Sequence, residues 1–230
     1  ELNPDINNIV YLIKNDSVYG AFAGEVIAGH GRIILKDSSK EWSIKVTHEP
    51  NILKVRWEDS GADCVIVSSG VQKNIEEAKK LINRNIKSVI VTHFCESTDF
   101  AMVFGYNESD YKENHRYIST DICDSVAALP VINSINNKFG IEHCFITTLH
   151  PWLAYQKLVD SYVGSQAYPA AYHSYYPLGR SSIGNLIPKP TMLGSVLCSH
   201  IPALKDKLTV FSYRTPTQSV CSADISLVLF

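Results

Sequence analysis

Apolar side chains recur at helical spacing between Pro4 and Lys14, at Ile6, Ile9, Val10 and Ile13, behind an Asn-Pro-Asp start and ahead of Asn15-Asp16. That spacing predicts a first helix. From Gly24 to His48 the period changes. EVIAG, RIILK and SIKVTH are three short β-type runs parted by Gly or charged residues, and they predict a small antiparallel insertion. The compact run Asp63 to Val67 ends in Ser68-Ser69-Gly70, a helical stretch follows from about Asn74 to Asn83, and a second apolar run, SVIVT, comes after it. Strand, loop, helix and strand in that order make the βαβ unit of a parallel sheet, and such sheets hold ligands at the carboxyl ends of their strands.

AMVFG and YISTDI read as further strands, the second leading straight into Cys123. The segment DSVAALPVINSINNKFG reads as a helix to about Lys138, with Pro130 as a point of kinking and Gly140 as its stop. FITTL (145–149) is a strand ending at His150, Pro190 to Leu204 a helix, and TVFSYR and CSADISLVLF two closing strands. Tyr162 to Gly179 differs from the rest. It holds five tyrosines, two prolines and two glycines without a period, and reads as a long ordered loop with a functional or interface role.

Composition narrows the classes. The 230 residues are 45% apolar and 19% charged, which excludes disorder, collagen and coiled coil. A formal charge of -2 gives no basic field for nucleic acid or an anionic membrane. No apolar run approaches the ~20 residues that cross a bilayer, and the start ELNPDINN does not read as a signal peptide, so a soluble protein is expected. The six cysteines show no CxxC pair and no Cys/His ligand spacing. A disulfide framework and a metal site are therefore not expected, and a reducing compartment, the cytoplasm, is.

One place carries candidate chemistry. Cys123 sits where a strand hands over to a helix, and a thiol at a helix N-terminus meets unpaired N–H groups and the positive dipole end, which favour thiolate. His150 closes another strand, and a Cys–His pair is the minimum for covalent catalysis at a carbonyl carbon. A structural cysteine and a satisfied histidine beside a proline fit the same spacing, which leaves both readings open.

The stretch IST-DICDSVAALPVINSINNKFGIEHCFITTLHPWLAYQKLVD resembles the catalytic segment of the glyceraldehyde-3-phosphate dehydrogenase family, where a Ser-Asn-Ala-Ser-Cys-Thr-Thr-Asn segment is followed by a Thr-Thr-Val-His strand. Ser119, Cys123, Pro130, Phe139-Gly140, Thr147-Thr148, His150, Gln156 and Val159-Asp160 match it. The likeness continues through Ile201-Pro202, Leu204, Lys207-Leu208-Thr209, Arg214 and Pro216-Thr217, and upstream through YLIKNDSVYGAF and VTHEPNILKVRWEDSGADCVIVSSG. The resemblance implies an α/β fold. An incomplete Rossmann-type parallel sheet, the remainder of an NAD(P)-binding domain (1–122), would precede an α+β catalytic domain with a mixed sheet (123–230). No GxGxxG occurs in the chain, and it stops at SLVLF, short of the family's last strands, so it reads as a piece of a longer chain.

On the resemblance, Cys123 would attack an aldehyde carbon and His150 would act as base while hydride leaves for NAD or NADP. Arg214 and Thr191 would bind substrate or attacking phosphate, with Asp124 and Ser125 beside them, and Ser69, Gly70 and Thr92 would line the cofactor cleft. A homotetramer is implied, formed through the loop that here is tyrosine-rich. The departures matter too. The family's Cys-Thr-Thr-Asn reads Cys123-Asp124-Ser125-Val126, the serine before the cysteine is Ile122, Leu153 replaces a phosphate-binding threonine, and Met192 and Ser195 stand for a glycine and a lysine. A carboxylate at 124 would repel phosphate and raise the cysteine pKa. Two functions follow: an aldehyde dehydrogenase of altered substrate, or a catalytically inactive paralogue kept for binding or assembly.

Overall fold

The computed structural model describes residues 5–154, 156–161 and 176–230. Helix α1 (Ile6–Lys14) starts where the Asp5 carboxylate accepts the Asn7 N–H at 2.9 Å, and a two-residue antiparallel pair follows, β1 (Asn15–Asp16) with β2 (Gly20–Ala21). Strands β3 (Glu25–Gly29), β4 (Arg32–Lys36) and β5 (Glu41–Lys45) form the antiparallel insertion that the three β-type runs predict. Val26 and Ile33 are buried in it, while β5 is exposed throughout.

The next strands are β6 (Cys64–Val67), β7 (Ser88–Val91), β8 (Phe100–Ala101) and β9 (Tyr117–Ser119). They pair in the order β6-β7-β9-β8, and every pairing is parallel. Helix α2 (Gln72–Ala78) crosses from β6 towards β7. It packs Ile75 and Ala78 into a core with Val65, Val67, Leu81, Val89, Val91 and Tyr117. Each large aliphatic side chain buried there contributes roughly 1.5–3 kcal/mol, which holds the crossover against the sheet. Two elements are shorter than their pattern suggests. The helical period to Asn83 resolves into α2 and a 3-10 stretch, Lys79–Arg84, ended by Asn85 at φ 65°. AMVFG pairs only through Ala101 and its neighbour Phe100, because the Asn107 side chain takes the Val103 N–H and the Ala101 carbonyl that a longer ladder would need.

Helix α3 (Cys123–Phe139) runs on through Pro130, and Gly140 closes it at φ 70° with its N–H donating to the Asn136 carbonyl at 2.9 Å. The last elements are β10 (Ile141–Pro151), β11 (Ile187–Pro188), α4 (Leu193–His200), β12 (Leu208–Thr215) and β13 (Ser222–Leu229). Their sheet runs β11-β12-β10-β13, with β10 parallel to β12 and antiparallel to β13. It is therefore mixed, as expected. Alternate residues of β10, Cys144, Ile146, Thr148 and His150, face inward, and the first two pack against Leu129 and Ile132 of α3 and Leu193 and Leu197 of α4. Helix α4 stops before Pro202, which opens a separate 3-10 turn, so the predicted helix to Leu204 is broken there. Residues 162–175 of the tyrosine-rich loop lie outside the described residues, and Tyr176–Gly179 form a 3-10 turn. No described helix is long and apolar enough to cross a membrane.

Candidate active site

The site grows from the carboxyl edge of the parallel sheet. At the end of β9 the Ser119 hydroxyl donates to the His93 carbonyl at 2.7 Å and accepts the Asp121 N–H at 2.9 Å. Asp121 takes a left-handed turn at φ 62°, its carboxylate accepting the Ile122 N–H at 2.8 Å and pairing with His200 Nε2 at 2.6 Å. These bonds turn the chain from strand to helix and make Cys123 the first residue of α3. From the other sheet, β10 carries His150 at its end. In register His150 lies beside Arg214 of β12, and Leu149 beside Ser222 of β13, so Arg214 and Cys221 flank the imidazole.

Asp124 stands between the two candidate catalytic groups. Its Oδ1 lies 2.9 Å from His150 Nε2, and the Cys123 thiol donates to the same oxygen at 3.7 Å. One donor atom from each of Cys123, Asp124 and His150 lies within 4.8 Å of those of the other two. Asp124 and His150 are buried, whereas Cys123 reaches solvent. Thr148 Oγ1 is 3.3 Å from Nε2, and Cys221 Sγ is 3.5 Å from Nδ1.

The charges set the chemistry. Partial burial, the Asp124 carboxylate and the Cys221 sulfur together push the Cys123 thiol up from its ordinary value. Sequence reasoning expected the α3 N-terminus to favour thiolate. Here that benefit is outweighed, as the carboxylate at 124 foreshadowed. Burial works to raise the Asp124 carboxyl, but the hydrogen bond and charge of His150, with Lys189 and Cys123, hold it below the usual range. Burial and the Arg214 guanidinium push Lys189 down. Burial and Asp124 raise Cys221, against Arg214 and Lys189.

The structure thus brings Cys123, Asp124, His150 and Arg214 together. Arg214 is half-buried, and its Nη1 donates to the Pro151 carbonyl at 3.2 Å. Thr191 lies just before α4, its Oγ1 accepting the Leu193 N–H at 3.1 Å. Ser125, expected beside the substrate contacts, is fully buried, donating to the Ile122 carbonyl at 2.8 Å and accepting the Ile122 N–H at 3.2 Å, so its hydroxyl secures the helix start. Asp124, expected among the substrate contacts, points inward to His150. The structure adds Lys189 and Cys221, which sequence reasoning did not single out. Lys189 follows the two-residue β11, and Cys221 immediately precedes β13, so their signal lay only in strand pairing.

Ser69, Gly70 and Thr92 follow β6 and β7 on the edge from which β9 runs into Cys123. Gly70 sits at φ 68°, and Thr92 donates both its N–H and its hydroxyl to the Val67 carbonyl. Small residues at the carboxyl ends of adjacent parallel strands, one of them in a conformation suited to glycine, fit a nucleotide cofactor lying across that edge.

Comparison with known proteins agrees. The model of the glyceraldehyde 3-phosphate dehydrogenase C-terminal domain matches residues 122–229, and that of the family's NAD binding domain matches residues 2–75. Glyceraldehyde-3-phosphate dehydrogenase of Wickerhamomyces ciferrii is 36% identical over 219 residues, 95% of this chain and 61% of that protein. The enzyme of Schistosoma mansoni is 33% identical over 96% of this chain and 62% of its own length. Glyceraldehyde-3-phosphate dehydrogenase 2 of Drosophila subobscura is 32% identical over 98% of this chain and 69% of its own. The chain spans about three fifths of the length of the first two relatives.

Proposed function

Because the chain belongs to the glyceraldehyde-3-phosphate dehydrogenase family, we propose that the protein oxidises an aldehyde through a covalent bond to Cys123, with NAD or NADP as cofactor. The observation that carries this is the solvent-reaching thiol of Cys123 within 4.8 Å of the buried His150 imidazole. Sγ attacks the aldehyde carbon, the C–S bond forms, and the carbonyl electron pair moves to oxygen. The thiol proton passes through the Asp124–His150 pair, whose carboxylate it already touches, to the new alkoxide oxygen, which leaves the thiohemiacetal hydroxyl formed and the pair free to act as base again. Ser69, Gly70 and Thr92 would hold the cofactor, which supplies an acceptor for the hydride of the aldehyde carbon. His150 then takes the hydroxyl proton of the thiohemiacetal as the acyl thioester forms on Cys123.

The substrate differs from that of a family member with Cys-Thr-Thr-Asn at this point. Asp124 disfavours an anion beside the nucleophile, while the nearby Lys189 and Arg214 cations attract one. Thr191, whose Oγ1 accepts the Leu193 N–H, and Arg214 are the substrate contacts of this reading. The protein works in the cytoplasm as a homo-oligomer. A second reading, an inactive paralogue kept for binding or assembly, draws on the same Asp124, which holds the thiol protonated. Incubating the protein with a panel of aldehydes and NAD or NADP, and following reduced cofactor, separates the two. Turnover supports the dehydrogenase. No turnover, with Cys123 inert to iodoacetamide, supports the inactive paralogue.

A further inference from the structure

The substitution that places a carboxylate beside the nucleophile also completes a different kind of site. We propose that Cys123, Asp124 and His150 bind a thiophilic divalent cation of the zinc type, and that the bound ion withholds the sulfur from substrate. This goes beyond the dehydrogenase reading and does not need it to be correct. The donors are a sulfur, a carboxylate oxygen and an imidazole nitrogen, the set that zinc favours. Zinc bonds of about 2.3 Å to sulfur and 2.0–2.2 Å to nitrogen and oxygen require donors roughly 3.3–3.7 Å apart in a tetrahedron. Here the Oδ1–Nε2 and Sγ–Oδ1 separations are 2.9 Å and 3.7 Å, and one donor atom from each of the three residues lies within 4.8 Å of the others. An ion entering between them needs only small side-chain adjustments.

The supporting features are independent of those distances. Cys123 and Asp124 are the first two residues of a 17-residue helix, and His150 ends an 11-residue strand, so all three stand on regular elements. Two are buried and one reaches solvent, leaving an entry path and a fourth position for water. His150 Nδ1 lies 3.5 Å from Cys221 Sγ, so when Nε2 binds metal the remaining N–H meets a sulfur acceptor that fixes the ring. On binding, the thiol proton leaves to solvent, the S–metal bond forms, and the imidazole carries its hydrogen on Nδ1. Lys189 acts electrostatically on Asp124 and Cys123 and opposes the cation.

The test uses the whole chain, stripped with EDTA, titrated with zinc alone by calorimetry, and then labelled with iodoacetamide and read by peptide mass spectrometry. We expect one zinc per chain, with labelling of Cys123 slowed about tenfold or more and restored by EDTA, since a metal-bound thiolate is withdrawn from reaction. Exposed Cys64 should label at an unchanged rate. Asp124→Ala and His150→Ala should each abolish the protection, and Cys221→Ala should weaken zinc binding about 10- to 100-fold. Cobalt titrated into the unmutated chain should give thiolate-to-metal charge transfer, a readout that survives if a variant does not fold. Absence of that band, zinc that leaves Cys123 labelling unchanged, or protection surviving in both alanine variants overturns the proposal. If Cys123 labels freely with or without zinc, the metal site falls while the nucleophile stands.

Discussion

Asp124 Oδ1 sits 2.9 Å from His150 Nε2, and both side chains are almost wholly buried, so the imidazole nearest the Cys123 thiol is tied first to a carboxylate. The same oxygen accepts from the Cys123 thiol. A simple thiolate–imidazolium pair is thereby replaced by a three-membered cluster with the acid in the middle. The acid disfavours negative charge on sulfur.

Alkylation of Cys123 should therefore begin at higher pH than for a free thiol. The thiol pKa is raised, so less thiolate exists at any given pH. Removing the carboxylate with Asp124→Asn removes one of the causes and should move the profile to lower pH. Iodoacetamide rates across pH 6–10 on EDTA-treated protein check this. An unmoved profile in the variant would show that burial alone raises the thiol.

His150→Asn should lower aldehyde turnover by about 10²–10⁴-fold, the usual worth of a positioned acid–base group. It should also leave Asp124 buried without its partner, costing roughly 3–5 kcal/mol of stability. The pH dependence has a definite sign. The Asp124 pKa is lowered on folding, so the stability it contributes is complete above its unfolded value of 3.8 and is lost as pH falls through the lower folded value. Urea denaturation between pH 6 and pH 3 should show a shallower acid loss in Asp124→Asn than in the unmutated protein.

Ser125→Ala should act on stability and not on substrate. Its hydroxyl closes the start of α3, so the change should cost about 0.5–2 kcal/mol in urea denaturation, as loss of a helix cap does. The KM for aldehyde should stay unchanged. A raised KM with unaltered stability would return Ser125 to the substrate site.

Gly140→Ala probes the joint between α3 and β10. At φ 70° and ψ 144° only glycine is comfortable, and an added Cβ would lie 2.8 Å from the Phe230 ring. The conformational strain should cost about 1–3 kcal/mol. Phe230→Ala in the same chain should recover only the steric part, measured by thermal unfolding of the single and double variants.

The sequence made the frame legible because its periods are local. Three β-type runs became one antiparallel sheet, and CVIV and SVIV became parallel neighbours. It overran at AMVFG and at Asn83, where an asparagine side chain and a tightening of the helix decide the outcome. Among the candidate site residues, Cys123 and His150 stood out through resemblance, and Asp124 through its place beside Cys123. That Asp124 would face His150 was not legible, since the contact depends on α3 docking against β10. Lys189 and Cys221 were invisible for a similar reason. The first is placed by the pairing of β11 with β12, and the second meets His150 across 71 residues of chain.

The measurement that bears most directly on the account is peptide mass spectrometry of the protein after brief exposure to aldehyde and NAD or NADP. The account predicts an acyl adduct on the peptide containing Cys123, absent from Cys123→Ser and strongly reduced in His150→Asn. An adduct on Cys221 or another cysteine, or none on Cys123 with every aldehyde tried, would contradict it.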